Sequence, residues 1–92
     1  MLTEQRVDLM IYGKVQGVGF RYSAMLKAES LGIKGYVKNQ RDGSVFVAVQ
    51  GATTAVEHFV NWCYQGPPTA DVSRIENTPR SIEEFREFII LY

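Results

Sequence analysis

Gly13-Lys14-Val15-Gln16-Gly17-Val18-Gly19-Phe20-Arg21 joins an apolar run to a helical pattern, and its reading decides the fold. Three glycines within seven residues let the backbone visit positive φ and turn its N–H groups to one side. Inward N–H groups that feed a helix N-terminus form an anion cradle, because the macrodipole and the unpaired donors point the same way. Arg21 sharpens that reading. A cation in the first turn of a helix sits at the positive end of the dipole, which costs roughly a few tenths of a kcal/mol. The placement makes sense if Arg21 and the amides share one anion, and a guanidinium offers a planar fork for two phosphate oxygens. The stretch matches neither G-x-x-x-x-G-K-S/T nor G-x-G-x-x-G, so neither the nucleotide P-loop nor the dinucleotide fingerprint applies. Spacing alone leaves a plain glycine-rich connection with a solvated Arg21 as the alternative.

Upstream, Val7 to Tyr12 is an apolar run interrupted only by Asp8, the pattern of a central strand buried on both faces. Downstream, Phe20, Ala24, Ala28 and Leu31 make one stripe of a helix from Phe20 to Leu31, which Gly32 closes. Tyr36 to Asn39 reads as a short strand and Asp42-Gly43 as a turn. Val45, Val47 and Val49 then alternate with Phe46, Ala48 and Gln50 in a second hairpin arm. Thr54 and Glu57 fit a capping box at the start of a second helix. Its stripe is Val56, Phe59, Val60 and Cys63, and Gly66-Pro67-Pro68 stops it. A weaker strand is expected from Asp71 to Thr78, broken by Pro79, before an apolar run in which Phe88 to Tyr92 forms an edge strand.

The order β-α-β-β-α-β is the split βαβ, ferredoxin-like arrangement, an α+β sandwich with two helices on one face of a mainly antiparallel sheet. In it strands one and two point the same way with strand three between them. The glycine loop and the end of strand two therefore share one end of the sheet. Two inter-strand spacings are about 10 Å. Asn39 is expected to face the loop across that gap, which fits a phosphoryl group and one water.

At 92 residues the chain is expected to be one domain, 1–92, and 46% apolar with 22% charged residues is the composition of an ordinary globule. Ten basic and ten acidic side chains give zero formal net charge, which argues against a nucleic-acid binder with a broad electrostatic footprint. A single cysteine, Cys63, excludes an intrachain disulfide and a Cys-rich metal site. The polar start and the lack of any run of transmembrane length make the expected protein cytoplasmic, with no membrane partner. A monomer is expected.

Beyond these readings, the chain resembles the acylphosphatase family. Gly13-x-Val15-Gln16-Gly17-Val18-Gly19-Phe20-Arg21 is similar to that family's phosphate-binding signature. Gly35-Tyr36-Val37-Lys38-Asn39, followed by Gly43, Val45 and Gly51, is similar to its second. The likeness runs on through Trp62-Cys63, Gly66-Pro67 and the closing Tyr92. It implies an acylphosphatase that hydrolyses small-molecule acyl phosphates to a carboxylate and inorganic phosphate, the latter both product and competitive inhibitor. It implies no metal and no cofactor. The amides of Gln16, Gly17, Val18, Gly19 and Phe20 would hold the phosphate with Arg21, and Asn39 would position the attacking water, with no covalent intermediate. Several members place a hydroxyl residue directly after the asparagine, where this chain has Gln40, so no hydroxyl assistance is expected there.

The chemistry suits these residue types. Phosphoryl transfer through a loose transition state needs positioning and charge stabilisation more than covalent work. A carboxylate leaving group, with a pKa near about 4, departs without a general acid. No base stands beside Asn39, and the resemblance implies that the substrate phosphate takes the proton from water. Asp42 reads as a turn residue, His58 as exposed and outside catalysis, and Cys63 as core. Lys14 and Lys38 either add positive potential or are simply solvated. Two other readings compete. One is a non-catalytic module that binds phosphate or carbamoyl phosphate; the other is an RNA-binding module stacking bases on Tyr36 and Phe46.

Overall fold

Alternation along each strand decides which side chains meet the helices. A computed structural model describes residues 3–92, with the order β1 (Glu4–Lys14), α1 (Phe20–Leu31), β2 (Lys34–Asn39), β3 (Val45–Ala52), α2 (Thr53–Gln65), β4 (Asp71–Arg80) and β5 (Phe88–Leu91). The sheet runs β4-β1-β3-β2-β5. Every pairing is antiparallel except that of β2 with β5. Leu9 stands opposite Val47, and Val47 opposite Val37, so one row of buried aliphatics crosses three strands. Phe20, Ala24 and Ala28 of α1 and Val56, Phe59 and Cys63 of α2 close over that face in a single core. This is the ferredoxin-like α+β sandwich expected from the element order.

Aromatic packing fixes the helix that matters most. The Trp62 ring lies 5.6 Å from Phe20, the first residue of α1, and 5.9 Å from Phe59. The start of α1 is thereby tied to α2 and the core. Gly32 takes φ 69° after α1, and its N–H and its neighbour's return to the last turn of the helix, as the sequence predicts.

The other face of the sheet is more polar than two-sided burial of β1 required. Asp8 accepts from Arg6 at 3.3 Å and from Arg80 at 3.0 Å. The connection 81–87 crosses this face from one edge to the other. Gln50 and Glu83 clasp it through reciprocal bonds of 2.6 and 2.8 Å, and Phe85 packs edge-on to Tyr36 at 6.2 Å.

Three expectations need correction. No capping box opens α2: its N-cap is Ala52, and Thr54 lies inside the helix. β3 feeds α2 without a loop, so the Thr53 N–H and hydroxyl donate instead to the Thr3 carbonyl, at 2.9 and 3.1 Å. Pro79 does not break β4, which continues to Arg80 with Pro79 opposite Val7. β4 is an edge strand, where a missing donor can face solvent at little cost. β1 and β2 also extend beyond the apolar runs that announced them, and β5 ends at Leu91.

Candidate active site

Between the end of β1 at Lys14 and the start of α1 at Phe20, five residues must turn the chain back over the sheet. Val15 anchors the turn in the core at 1% exposure. Gly17 and Gly19 take φ 73° and 76°, whereas Val18 between them does not have positive φ. Alternating the sign of φ aims successive N–H groups to one side, an anion nest. A Cβ at Gly17 or Gly19 would meet nothing within 4 Å, so the demand for glycine here is conformational, not steric. No side chain caps α1 and no acidic residue lies in its first turn. The unpaired donors and the dipole are left for an anion.

Arg21 follows in that first turn, half-buried. Its guanidinium donates to the Leu91 carbonyl at 3.4 Å and lies 4.8 Å from the centroid of the Tyr92 ring. Both contacts are weak: the bond is long, and the cation–π contact with a 96% exposed ring contributes about 0.5–1 kcal/mol. Among the described residues Arg21 enters no ion pair, so its charge remains to be neutralised.

Asn39 ends β2, opposite Val45 on β3. Asn39 and Arg21 line one cavity of about 180 Å³ together with Gly17, Gly19, Phe20 and Tyr92. At about 30 Å³ per water, that volume holds a phosphoryl group and several waters. The structure thus brings Arg21, Asn39 and three of the loop residues to one cavity. Gln16 and Val18 do not line it.

The side chain of Gln16 instead does something the sequence did not announce. Its Nε2 donates to the carbonyls of Gln40 at 2.7 Å and Ser44 at 2.9 Å, which pins the loop to the turn after Asn39. That turn is stiffened by Asp42, whose carboxylate accepts from the Ser44 hydroxyl at 2.6 Å and the Ser44 N–H at 2.9 Å. These bonds from Ser44 hold the Asp42 carboxyl below its ordinary pKa. Asp42 is therefore a turn residue. Gln40 reaches Met10 Sδ at 3.6 Å, on the sheet face away from the helices.

The remaining candidates lie elsewhere. Lys38 sits over the Phe46 ring at 5.5 Å, on that opposite face, and Lys14 is exposed; neither lines the cavity. His58 is exposed on α2. Cys63 is fully buried, and burial pushes its thiol far above the ordinary range, so no thiolate is at hand. Among the described residues, no three His, Cys, Asp or Glu side chains gather as metal ligands. Among the described residues no helix is long and apolar enough to cross a membrane. Leu91 and Tyr92, which contact Arg21, were legible as part of an edge strand and, for Tyr92, of the family likeness, but not as neighbours of Arg21. Their place follows from the parallel pairing that sets Leu91 beside Lys38, one residue before Asn39.

Comparison with known proteins gives a consistent answer. The Acylphosphatase family model matches residues 7–90. A protein named Acylphosphatase from Acaryochloris marina is 49% identical over 82 residues, covering 89% of this chain and 88% of that one. The structure of an acylphosphatase from Coxiella burnetii superposes with a TM-score of 0.93 at 34% identity, over 96% of this chain and 93% of the other. That of acylphosphatase from Bacillus subtilis gives 0.92 at 36% identity, over 96% and 99%.

Proposed function

The chain belongs to the acylphosphatase family, and from that premise we propose which residues carry its chemistry. It hydrolyses acyl phosphates to a carboxylate and inorganic phosphate. In the proposed mechanism the loop amides from Gln16 to Phe20 and the guanidinium of Arg21 hold the phosphoryl oxygens. The observation that carries this is the shared cavity: Arg21, Asn39 and the Gly17 and Gly19 backbone all line it. Amides at a helix start and one unpaired guanidinium supply fixed positive charge where the transferring group spreads its negative charge.

The Asn39 carboxamide orients a water for attack on phosphorus in line with the departing carboxylate. A carboxamide has no proton to take or give at neutral pH, so its role is position. The transferring phosphate accepts the proton of the water, and the carboxylate leaves unprotonated. No covalent intermediate forms, since neither Arg21 nor Asn39 is a nucleophile and Cys63 is buried away from the cavity. The same domain, 1–92, acts as a cytoplasmic monomer without nucleic-acid or membrane partners. Zero net charge and the covering of Tyr36 by Phe85 support the absence of an RNA surface.

Leaving-group dependence tests the mechanism. With no acid to protonate it, the leaving group must depart as an anion. Benzoyl phosphate should be hydrolysed well, and an alkyl phosphate, with its poor alkoxide leaving group, should be nearly inert. Added EDTA should change neither rate. Comparable rates on both substrates, or loss to EDTA restored by a divalent ion, would mean a metallophosphatase.

A further inference from the structure

The stretch Gly66-Pro67-Pro68-Thr69, which ends α2, plays no part in the mechanism above. Yet the Thr69 hydroxyl donates to the Val18 carbonyl at 2.8 Å, across 51 residues of sequence. The peptide joining Val18 to Gly19 is trans. In a trans peptide the C=O and the following N–H point in opposite directions. A hydroxyl that holds the Val18 carbonyl toward Thr69 therefore holds the Gly19 N–H away from Thr69. Gly19 lines the cavity with Arg21, and Thr69 does not.

We infer that Thr69 is a positioning residue, whose hydroxyl fixes the direction of the Gly19 amide that binds the phosphoryl group. This rests on the reading of the site just given. Glycine at 17 and 19 makes the cradle possible and also makes it loose, because the peptide between Val18 and Gly19 can rotate at low cost. An amide that must be reoriented for each substrate contributes less than one already aimed. Gln16 pins the loop on its β2 side through Gln40 and Ser44. Thr69 pins it on the α2 side.

The pin is itself held from outside the loop. The Ala70 N–H donates to the Pro67 carbonyl at 2.9 Å, closing a turn in which two prolines fix φ. Pro67 is buried. A Cβ on Gly66 would come within 2.8 Å of the Phe20 ring, so the turn lies directly against the first residue of α1. Thr69 is thus fixed relative to the helix start by contacts other than its own bond.

Three variants test this: Thr69→Val, which keeps shape and loses the donor; Thr69→Ser, which keeps the donor; and Arg21→Ala. Thr69→Val should raise KM and the phosphate inhibition constant together by about fivefold, the effect of one lost hydrogen bond, with kcat within about twofold. Its melting temperature should be unchanged, and the amide shift of Gly19 on phosphate titration should shrink. Thr69→Ser should restore wild-type values. Wild-type phosphate binding in Thr69→Val, or a Thr69→Ser variant as weak as Thr69→Val, overturns the role of the hydroxyl. If Arg21→Ala weakens phosphate while Thr69→Val does not, only the Thr69 assignment falls. If neither weakens it, the reading of the site falls as well.

Discussion

Arg21→Ala is expected to lose about 3–5 kcal/mol of transition-state binding, on the order of 10²–10⁴-fold in kcat/KM. The size follows from what the side chain faces. In the free protein the guanidinium has a long bond to the Leu91 carbonyl and the edge of solvent beyond Tyr92, and no carboxylate partner among the described residues. Its charge is not spent on the fold, so removal should leave the melting temperature nearly unchanged. In the proposed mechanism the loss falls on the phosphoryl group, which carries charge in substrate, transition state and product alike. Inhibition by inorganic phosphate should therefore weaken in step with turnover. Arg21→Lys should recover only part, since an ammonium keeps the charge and loses the planar fork. Steady-state kinetics with phosphate as inhibitor measures both effects. Near wild-type kcat/KM with unchanged phosphate inhibition would remove Arg21 from the site.

The second large effect has the opposite signature. Asn39→Ala should lower kcat on the order of 10²–10³-fold while phosphate inhibition changes by less than about threefold. Asn39 stands across the cavity from the cradle on the end of another strand, so its loss leaves Gly17, Gly19 and Arg21 untouched. In the proposed mechanism, what goes is the placement of water. An uncoupled effect of this kind separates a residue that serves the chemical step from one that binds the ground state. If phosphate binding fell in parallel with turnover, Asn39 would be a ligand or a structural prop.

Part of the cavity's lining was legible because its signals are local. Gly17, Gly19 and Arg21 lie within five residues, and Val45, Val47 and Val49 announce their strand by alternation alone. From the strand order it followed that Asn39 faces the loop, since β1 and β2 run the same way on either side of β3. The features that were misread or unseen all depend on distant partners. Thr54 and Glu57 fit a cap by spacing, but Thr3 supplies the acceptor at the start of α2. Pro79 reads as a breaker until its strand is known to be an edge. The side chain of Gln16 reaches carbonyls 24 and 28 residues away, and Thr69 reaches one 51 residues away. Polar side chains carry no mark in sequence that names such partners.

The central claim is that water, placed by Asn39, attacks phosphorus held in the cradle. Hydrolysis of benzoyl phosphate in water enriched in oxygen-18 tests it most directly, because the two bonds that could break send the label to different products. Attack on phosphorus breaks the P–O bond and places the heavy oxygen in inorganic phosphate. Attack on the carbonyl carbon breaks the C–O bond and places it in benzoate. Label in phosphate, with benzoate unlabelled, is the result expected here; label in benzoate would contradict the mechanism.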